Sequence, residues 1–88
     1  MTKKIIKIKQ KMIENLINCL EIYLKTGQRR YSIDEGVIEF FDKDQTENNT
    51  IIIQTFVLKE KYQKLGILKK FLNYLSERFV EIWFIQCM

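Results

Sequence analysis

The segment Thr50–Leu58, which reads TIIIQTFVL, restricts the possible folds more than any other part of this chain. A long apolar run rich in β-branched residues is typical of a central strand that is buried on both faces. Gly66 follows shortly after, and the apolar residues beyond it have helical spacing: Ile67, Leu68, Phe71, Leu72 and Leu75. The last stretch, FVEIWFIQC, again has strand composition. This strand–helix–strand unit predicts two parallel strands joined by a right-handed crossover.

The first half of the chain predicts a helix and a hairpin. Apolar residues recur at helical spacing over Met12–Leu24, and Gly27 is suited to end this helix. The preceding stretch KKIIKIKQ has two interpretations: a short strand, which we favour, or an extension of the same helix. Strand-like residues flank Asp34–Gly36, so this triplet predicts a three-residue hairpin turn in which Gly36 adopts a positive φ.

Together these segments predict an α/β fold: a mixed sheet of about four to five strands flanked by two helices. The polar stretch DKDQTENN is expected to be a loop between two strands. Trp83 and Phe84 are expected in the core because large aromatic residues are usually buried. At 88 residues, the chain is expected to form a single domain over residues 1–88.

The composition excludes several classes of function. The chain contains no His, so catalysis by a histidine base or a histidine-containing triad is excluded. Its cysteines, Cys19 and Cys87, lack the spacing of a zinc site. No apolar run approaches the roughly 18 residues of a transmembrane helix, and the N-terminus lacks the features of a secretory signal. We therefore expect a cytoplasmic protein with free thiols and no membrane association.

The turn around Gly66 has the composition of an anion site. A helix that follows a strand through a glycine offers unpaired backbone N–H groups and the positive end of its dipole. The amides expected to point along the helix axis belong to Lys64, Leu65, Gly66, Ile67 and Leu68. Lys61, Lys64 and Lys69 raise the local positive potential. An ordinary turn with solvated lysines is the alternative, and one glycine does not decide between the two.

The segment IIIQTFVLKEKYQKLGILKKFLNYL resembles motif A of the GNAT family of N-acetyltransferases. In that family a central strand leads into Gln/Arg-x-x-Gly-x-Gly/Ala at the start of a helix. The pattern is matched by residues 63–68, from Gln63 to Leu68, and the order of the surrounding elements agrees from about Tyr31 to Gln86. The resemblance implies a short or C-terminally truncated GNAT-like core that ends after the strand following this helix.

The resemblance also implies a cofactor and the residues that bind it. Acetyl-CoA would place its pyrophosphate on the loop amides, and its pantetheine arm would pair with the backbone at Leu58. The implied cofactor-binding residues are Leu58, Gln63, Lys64, Leu65, Gly66, Ile67, Leu68 and Lys69. The implied reaction is acetyl transfer to an amine whose identity the sequence does not reveal. Two positions depart from the family: Leu68 replaces a small residue, and Ile52 stands where some members keep a glutamate base.

Two other residues are candidates for catalysis. Glu39, between Ile38 and Phe40, is either a base that acts through water on the substrate amine or a solvent-facing residue of an edge strand. Cys87 is expected where the two parallel strands of the family separate to admit the thioester, so it is either a nucleophile or an inert buried thiol. Gln54 interrupts the most apolar strand and either orients an acyl carbonyl or faces a sheet edge.

A non-catalytic interaction module is the alternative function. We expect a homodimer formed either through the apolar last strand, Val80–Gln86, or through the helix Met12–Leu24. A basic nucleic-acid-binding protein is a third interpretation, since both ends of the chain are basic and only residues 31–50 are acidic. We do not favour it, because the aromatic residues are not interleaved with the basic ones as in a base-stacking surface.

Overall fold

Three helices and four strands make up the fold in a computed structural model that describes the backbone of residues 2–87 and the side chains of residues 7–85. In chain order they are α1 (Thr2–Thr26), β1 (Arg30–Ile33), β2 (Gly36–Phe40), β3 (Thr50–Leu58), α2 (Glu60–Gln63), α3 (Ile67–Arg78) and β4 (Glu81–Cys87), with a 3-10 turn at Lys43–Gln45. The strands form one sheet in the order β1-β2-β3-β4, antiparallel except for the parallel pair β3–β4. The α/β class and the central position of β3 are confirmed.

The N-terminal strand that we favoured is wrong, because α1 begins at Thr2 and continues to Thr26. Ile8 packs against the core one turn before the buried Met12, so it extends the helical stripe toward the N-terminus. The alternating Ile and Lys residues of KKIIKIKQ are therefore part of a helix, although the same pattern is compatible with a strand. Gly27 ends α1 as expected: its φ is +78°, and its N–H donates to the Tyr23 carbonyl at 2.8 Å.

The hairpin turn is shorter than the sequence predicts. Ile33 pairs directly with Gly36, so only Asp34 and Glu35 form the turn, and Gly36 has no positive φ. Gly36 is needed for a different reason. A Cβ atom there would lie 2.0 Å from the Val57 carbonyl oxygen of the neighbouring strand β3. The glycine thus permits close approach of two strands instead of a special turn conformation.

A bulge in β3 divides the strand into two halves. Glu39 pairs with Thr55 and Phe40 with Ile53, which leaves Gln54 as an extra residue in β3. The buried positions accordingly change from Ile51 and Ile53 before the bulge to Phe56 and Leu58 after it. The expectation that both faces of β3 are buried is wrong, since the intervening residues are only half-buried.

Both long helices cover the same face of the sheet. From α1, the Tyr23 ring stacks on Phe40 of β2 with centroids 4.5 Å apart. From α3, the Phe71 ring lies 6.0 Å from that of Phe56 in β3. Phe40 and Phe56 point to one face, because each occupies a buried position of the same ladder. The molecule is therefore a two-layer sandwich of helices on a sheet.

In the part of the chain that the structure describes, residues 2–87, no helix covers the other face of the sheet, and we call it the open face. Its residues alternate with the buried ones along each strand. From β1 to β4 they are Arg30, Ser32, Val37, Glu39, Ile52, Thr55, Val57, Glu81, Trp83 and Ile85. The prediction that Trp83 lies in the core is wrong, since this side chain is 57% exposed, whereas its neighbour Phe84 packs against the core.

Candidate functional site

The candidate site is the connection between β3 and α3. After Leu58 the chain makes the single helical turn α2, which the sequence analysis did not anticipate, and then reaches Gly66. Gly66 caps the N-terminus of α3 with a φ of +73°, a left-handed conformation that suits glycine. A Cβ atom at this position would meet no atom within 4 Å, so the space beside the glycine is open.

The N-terminus of α3 has unpaired donors. The first helical hydrogen bond runs from the Lys70 N–H to the Gly66 carbonyl at 3.2 Å. Within residues 2–87, the N–H groups of residues 66–69 therefore have no backbone partner. The N–H groups of Lys64 and Leu65 are expected to join them, but both donate to the Tyr62 carbonyl instead, that of Leu65 at 3.4 Å. The free amides therefore belong to residues 66–69, whereas the sequence predicts residues 64–68.

The apolar side chains of the motif point away from the turn. Ile67 is buried, and Leu65 and Leu68 pack against the core. Leu68 replaces the small residue of the family pattern, but its side chain contacts the core. Lys64 and Lys69 are exposed, together with Lys59 and Lys61 of the same connection. The turn therefore presents backbone donors and positive charge to solvent.

The Gln63 side chain forms a hydrogen bond with the last residue of β3. Its Nε2 donates to the Leu58 carbonyl oxygen at 2.9 Å. Within residues 2–87, the last pair of β3 and β4 is Phe56 with Cys87, two residues before Leu58. The Leu58 side chain is itself buried. The Leu58 carbonyl, which the resemblance assigns to the pantetheine arm, therefore already accepts one hydrogen bond within the chain.

Glu39 is a half-buried carboxylate on the open face. Its Oε1 lies 3.9 Å from Nη1 of Arg30, and it accepts a hydrogen bond of 3.4 Å from the Thr55 hydroxyl. Thr55 lies three residues before Leu58, which is about 10 Å along the strand. The structure therefore holds Glu39 by two side chains on neighbouring strands, upstream of the candidate turn.

Cys87 does not lie where the sequence analysis expected. It is the last residue of β4, and its backbone pairs with Phe56, so the parallel strands have not separated at that point. Its side chain is outside the described residues. The other thiol, Cys19, is buried in the core, and burial raises its pKa, which keeps it protonated at neutral pH.

Two polar contacts were not found from the sequence. Gln54 has a side-chain partner: its Oε1 accepts a hydrogen bond of 2.7 Å from Nη2 of Arg29, and Nε of Arg29 donates to the Phe40 carbonyl at 3.1 Å. Glu35 is buried in the hairpin turn and accepts from Nδ2 of Asn15 at 2.9 Å. A polar residue inside the most apolar strand was the signal for the first contact; nothing in the sequence indicated the second.

Other kinds of site find no support in the described part of the chain. No group of three or more acidic or Cys side chains within it is close enough to hold a metal ion. Across residues 2–87, no helix combines the length and the apolar character that crossing a membrane requires. Comparison with family models, curated proteins and solved structures finds no match for this chain.

Proposed function

We propose that this protein binds acetyl-CoA at the turn around Gly66 and transfers the acetyl group to an amine. The observation that carries the proposal is the left-handed Gly66 at the N-cap of α3, which leaves the four N–H groups of residues 66–69 without a backbone partner. Backbone donors at a helix N-terminus are suited to a pyrophosphate, and the helix dipole adds to their attraction.

The residues around the turn fit such a ligand. Open space beside Gly66 allows phosphate oxygens to approach the backbone. The Leu68 side chain, packed against the core, does not fill this space. The exposed Lys64 and Lys69 supply positive charge that complements two phosphates. These features support the part of the implied cofactor-binding set that lies at the turn itself, namely Gly66 with the side chains of Lys64 and Lys69.

Glu39 is the residue that we assign to proton removal. Bound acetyl-CoA would supply the acetyl group as a thioester; the amine nitrogen would replace the CoA sulfur on the acetyl carbon, and the released CoA thiolate would take a proton from solvent. Glu39 would take the amine proton through a water molecule. Arg30 and Thr55 lie beside the carboxylate on the open face. No role is assigned to Cys87.

Binding of the cofactor is tested by thermal unfolding with CoA and acetyl-CoA. Ligand at about 100 times its dissociation constant should stabilise the fold by roughly 2.7 kcal/mol, because it binds only the native state. For a domain of this size that is a rise in Tm of roughly 10–20 °C. Gly66→Glu should abolish the rise by placing a carboxylate against the phosphates.

Gly27→Glu is the matched control for this variant. Gly27 has a similar φ of +78° and equally open surroundings, so both substitutions carry a similar backbone strain of about 1–2 kcal/mol. Only the change at Gly66 should remove the response to CoA. If saturating CoA leaves the Tm of the unmodified protein unchanged, the proposal is refuted.

Acetyl transfer is measured separately with a panel of amines and peptides. Glu39→Gln should lower turnover about 100-fold or more, the usual contribution of a positioned base, while the response of Tm to CoA is retained. If Glu39→Gln leaves turnover unchanged, and turnover rises with pH, then solvent and not Glu39 removes the proton. If CoA binds but no amine is acetylated, transfer is withdrawn and cofactor binding stands.

A non-catalytic interaction module is the second candidate function, and the exposure of β4 favours it. Trp83 and Ile85 are apolar and mostly exposed on an edge strand. A surface of that kind is suited to contact with another protein chain. The two functions are compatible, since the Gly66 turn and the outer edge of β4 involve different residues.

A further inference from the structure

The two edges of the sheet differ in how they are protected. β1 is a short edge of four residues, and its exposed side chains are the polar Arg30 and Ser32. β4 is a longer edge of seven residues that contains neither Lys nor Pro, and Glu81 is its single charged residue. Short length and positive charge are the usual means by which an edge strand avoids pairing with another chain. β4 has neither.

Exposed apolar side chains concentrate at this same edge. Among the described side chains, the large hydrophobic residues with high exposure are Val80 at 83%, Ile85 at 63%, Trp83 at 57% and Ile22 at 43%. Three of these four lie in β4 or directly before it. The helix α1, the other surface expected from the sequence to form a dimer, buries its apolar stripe inside its own subunit. The observations therefore favour β4 as the contact surface.

We propose that two copies of this chain pair along the outer edges of their β4 strands, antiparallel and about a two-fold axis at Phe84, to form one eight-stranded sheet. In this register Trp83 lies opposite Ile85 of the second copy on the open face, and Glu81 lies opposite Cys87. Aromatic and β-branched residues are favourable cross-strand partners. The unpaired backbone groups of one edge become the partners of the other.

The position of the apolar side chains selects the antiparallel arrangement, and the charge of Glu81 is compatible with it. With the axis at Phe84, the two Glu81 carboxylates are six residues apart along the ladder, which is about 20 Å. That distance exceeds the Debye length at physiological ionic strength, so the two charges do not oppose association. A parallel arrangement of the same two edges would turn the second copy over, so its Trp83 and Ile85 would lie on the opposite face of the joined sheet and would not contact those of the first copy. The proposal does not depend on cofactor binding.

Light scattering and sedimentation at tens of micromolar should give twice the 10.7 kDa mass of the single chain. The double variant Trp83→Lys/Ile85→Lys should have the monomer mass, because the interface would contain four lysines. Both positions are mostly exposed, so the fold should persist, as far-UV circular dichroism would verify. Gln28→Lys/Ser32→Lys adds the same charge at and beside the opposite edge and should remain a dimer. A monomeric unmodified protein, or a dimer that survives Trp83→Lys/Ile85→Lys, would overturn the proposal.

A cross-linking variant tests the register even if the lysine variant fails to fold. Glu81→Cys places a thiol opposite the native Cys87 of the second copy, at a distance that suits a disulfide. Mild oxidation should give a covalent dimer on a non-reducing gel, and adding Cys87→Ser should abolish it. Ser32→Cys, an exposed thiol on the opposite edge, should not cross-link to the same extent. Equal cross-linking by Ser32→Cys and Glu81→Cys would contradict the register.

Discussion

Two buried tyrosines in neighbouring parts of the core differ in one hydrogen bond. The Tyr23 hydroxyl donates to the Phe41 carbonyl at 2.7 Å, and its ring stacks on Phe40. The Tyr31 hydroxyl is fully buried and makes no hydrogen bond of ordinary geometry among the described residues, although the Thr26 side chain lies near it. Because a buried hydroxyl is costly unless it is paired, the two hydroxyl groups should contribute to stability with opposite sign.

The paired substitutions Tyr23→Phe and Tyr31→Phe test this difference. Tyr23→Phe removes the partner of the Phe41 carbonyl and should lower the free energy of unfolding by about 1–2 kcal/mol. Tyr31→Phe removes only an unpaired hydroxyl and should be neutral or stabilising. Urea denaturation of both variants at pH 7 provides the measurement, and each variant is the other's control. An equal loss of stability in both would show that Tyr31 has a partner in solution.

At the scale of single elements, the pairing of β2 with β3 depends on one glycine. The Gly36 backbone approaches Val57 so closely that no side chain fits between them. The hydrogen bond from the Lys59 N–H to the Glu35 carbonyl, 2.8 Å long, extends the ladder past this point toward the Gly66 turn. The start of the candidate site is therefore positioned by the hairpin as well as by its own sequence.

Gly36→Ala should consequently destabilise the fold by about 3 kcal/mol, at the upper end of overpacking effects. Gly27→Ala is the control, because it adds the same methyl group in open space and carries only the strain of a positive φ, about 1–2 kcal/mol. Thermal unfolding of the two variants without ligand gives the comparison. A smaller loss for Gly36→Ala than for Gly27→Ala would contradict the close approach of the strands.

At the scale of the whole molecule, a single helical layer covers one face of a four-stranded sheet. Several weakly acidic groups lie between this helical layer and the sheet. Burial raises the pKa of the Cys19 thiol above its usual value of 9.0, and burial likewise raises the pKa values of Tyr23 and Tyr31 above 10.0. The native state thus holds these protons more tightly than the unfolded chain does.

The stability of the whole molecule should therefore fall at alkaline pH. The stabilisation from these protonated groups is fully present below their ordinary pKa values and is lost as pH rises through the raised ones. We expect a constant contribution up to about pH 9 and a decline above it. In Cys19→Ala/Tyr31→Phe the decline should be less steep. Urea titrations at a series of pH values measure the slopes, and identical slopes for the two proteins would refute the assignment.

Local patterns in the sequence identified most of the elements. The apolar run of β3, the helical stripe of α3 and the ending of α1 at Gly27 all depend on residues close together in the chain. The Gly66 turn was also evident, since a glycine between a strand and a helix is a local feature. These predictions succeeded because hydrophobic periodicity and the special conformations of glycine act over a few residues.

Contacts between distant residues decided the remainder. Alternating Ile and Lys near the N-terminus suit a strand or a helix equally, and packing of Ile8 next to Met12 against the core selected the helix. The role of Gly36 depends on Val57, and the pairing of Gln54 with Arg29 depends on a bulge between two strands. The exposure of Trp83 follows from the placement of both helices on one face of the sheet. The sequence by itself determined which segments are helices and strands over most of the chain. Only the tertiary structure decided which faces are covered, because burial depends on the elements that pack together and not on the composition of any one of them.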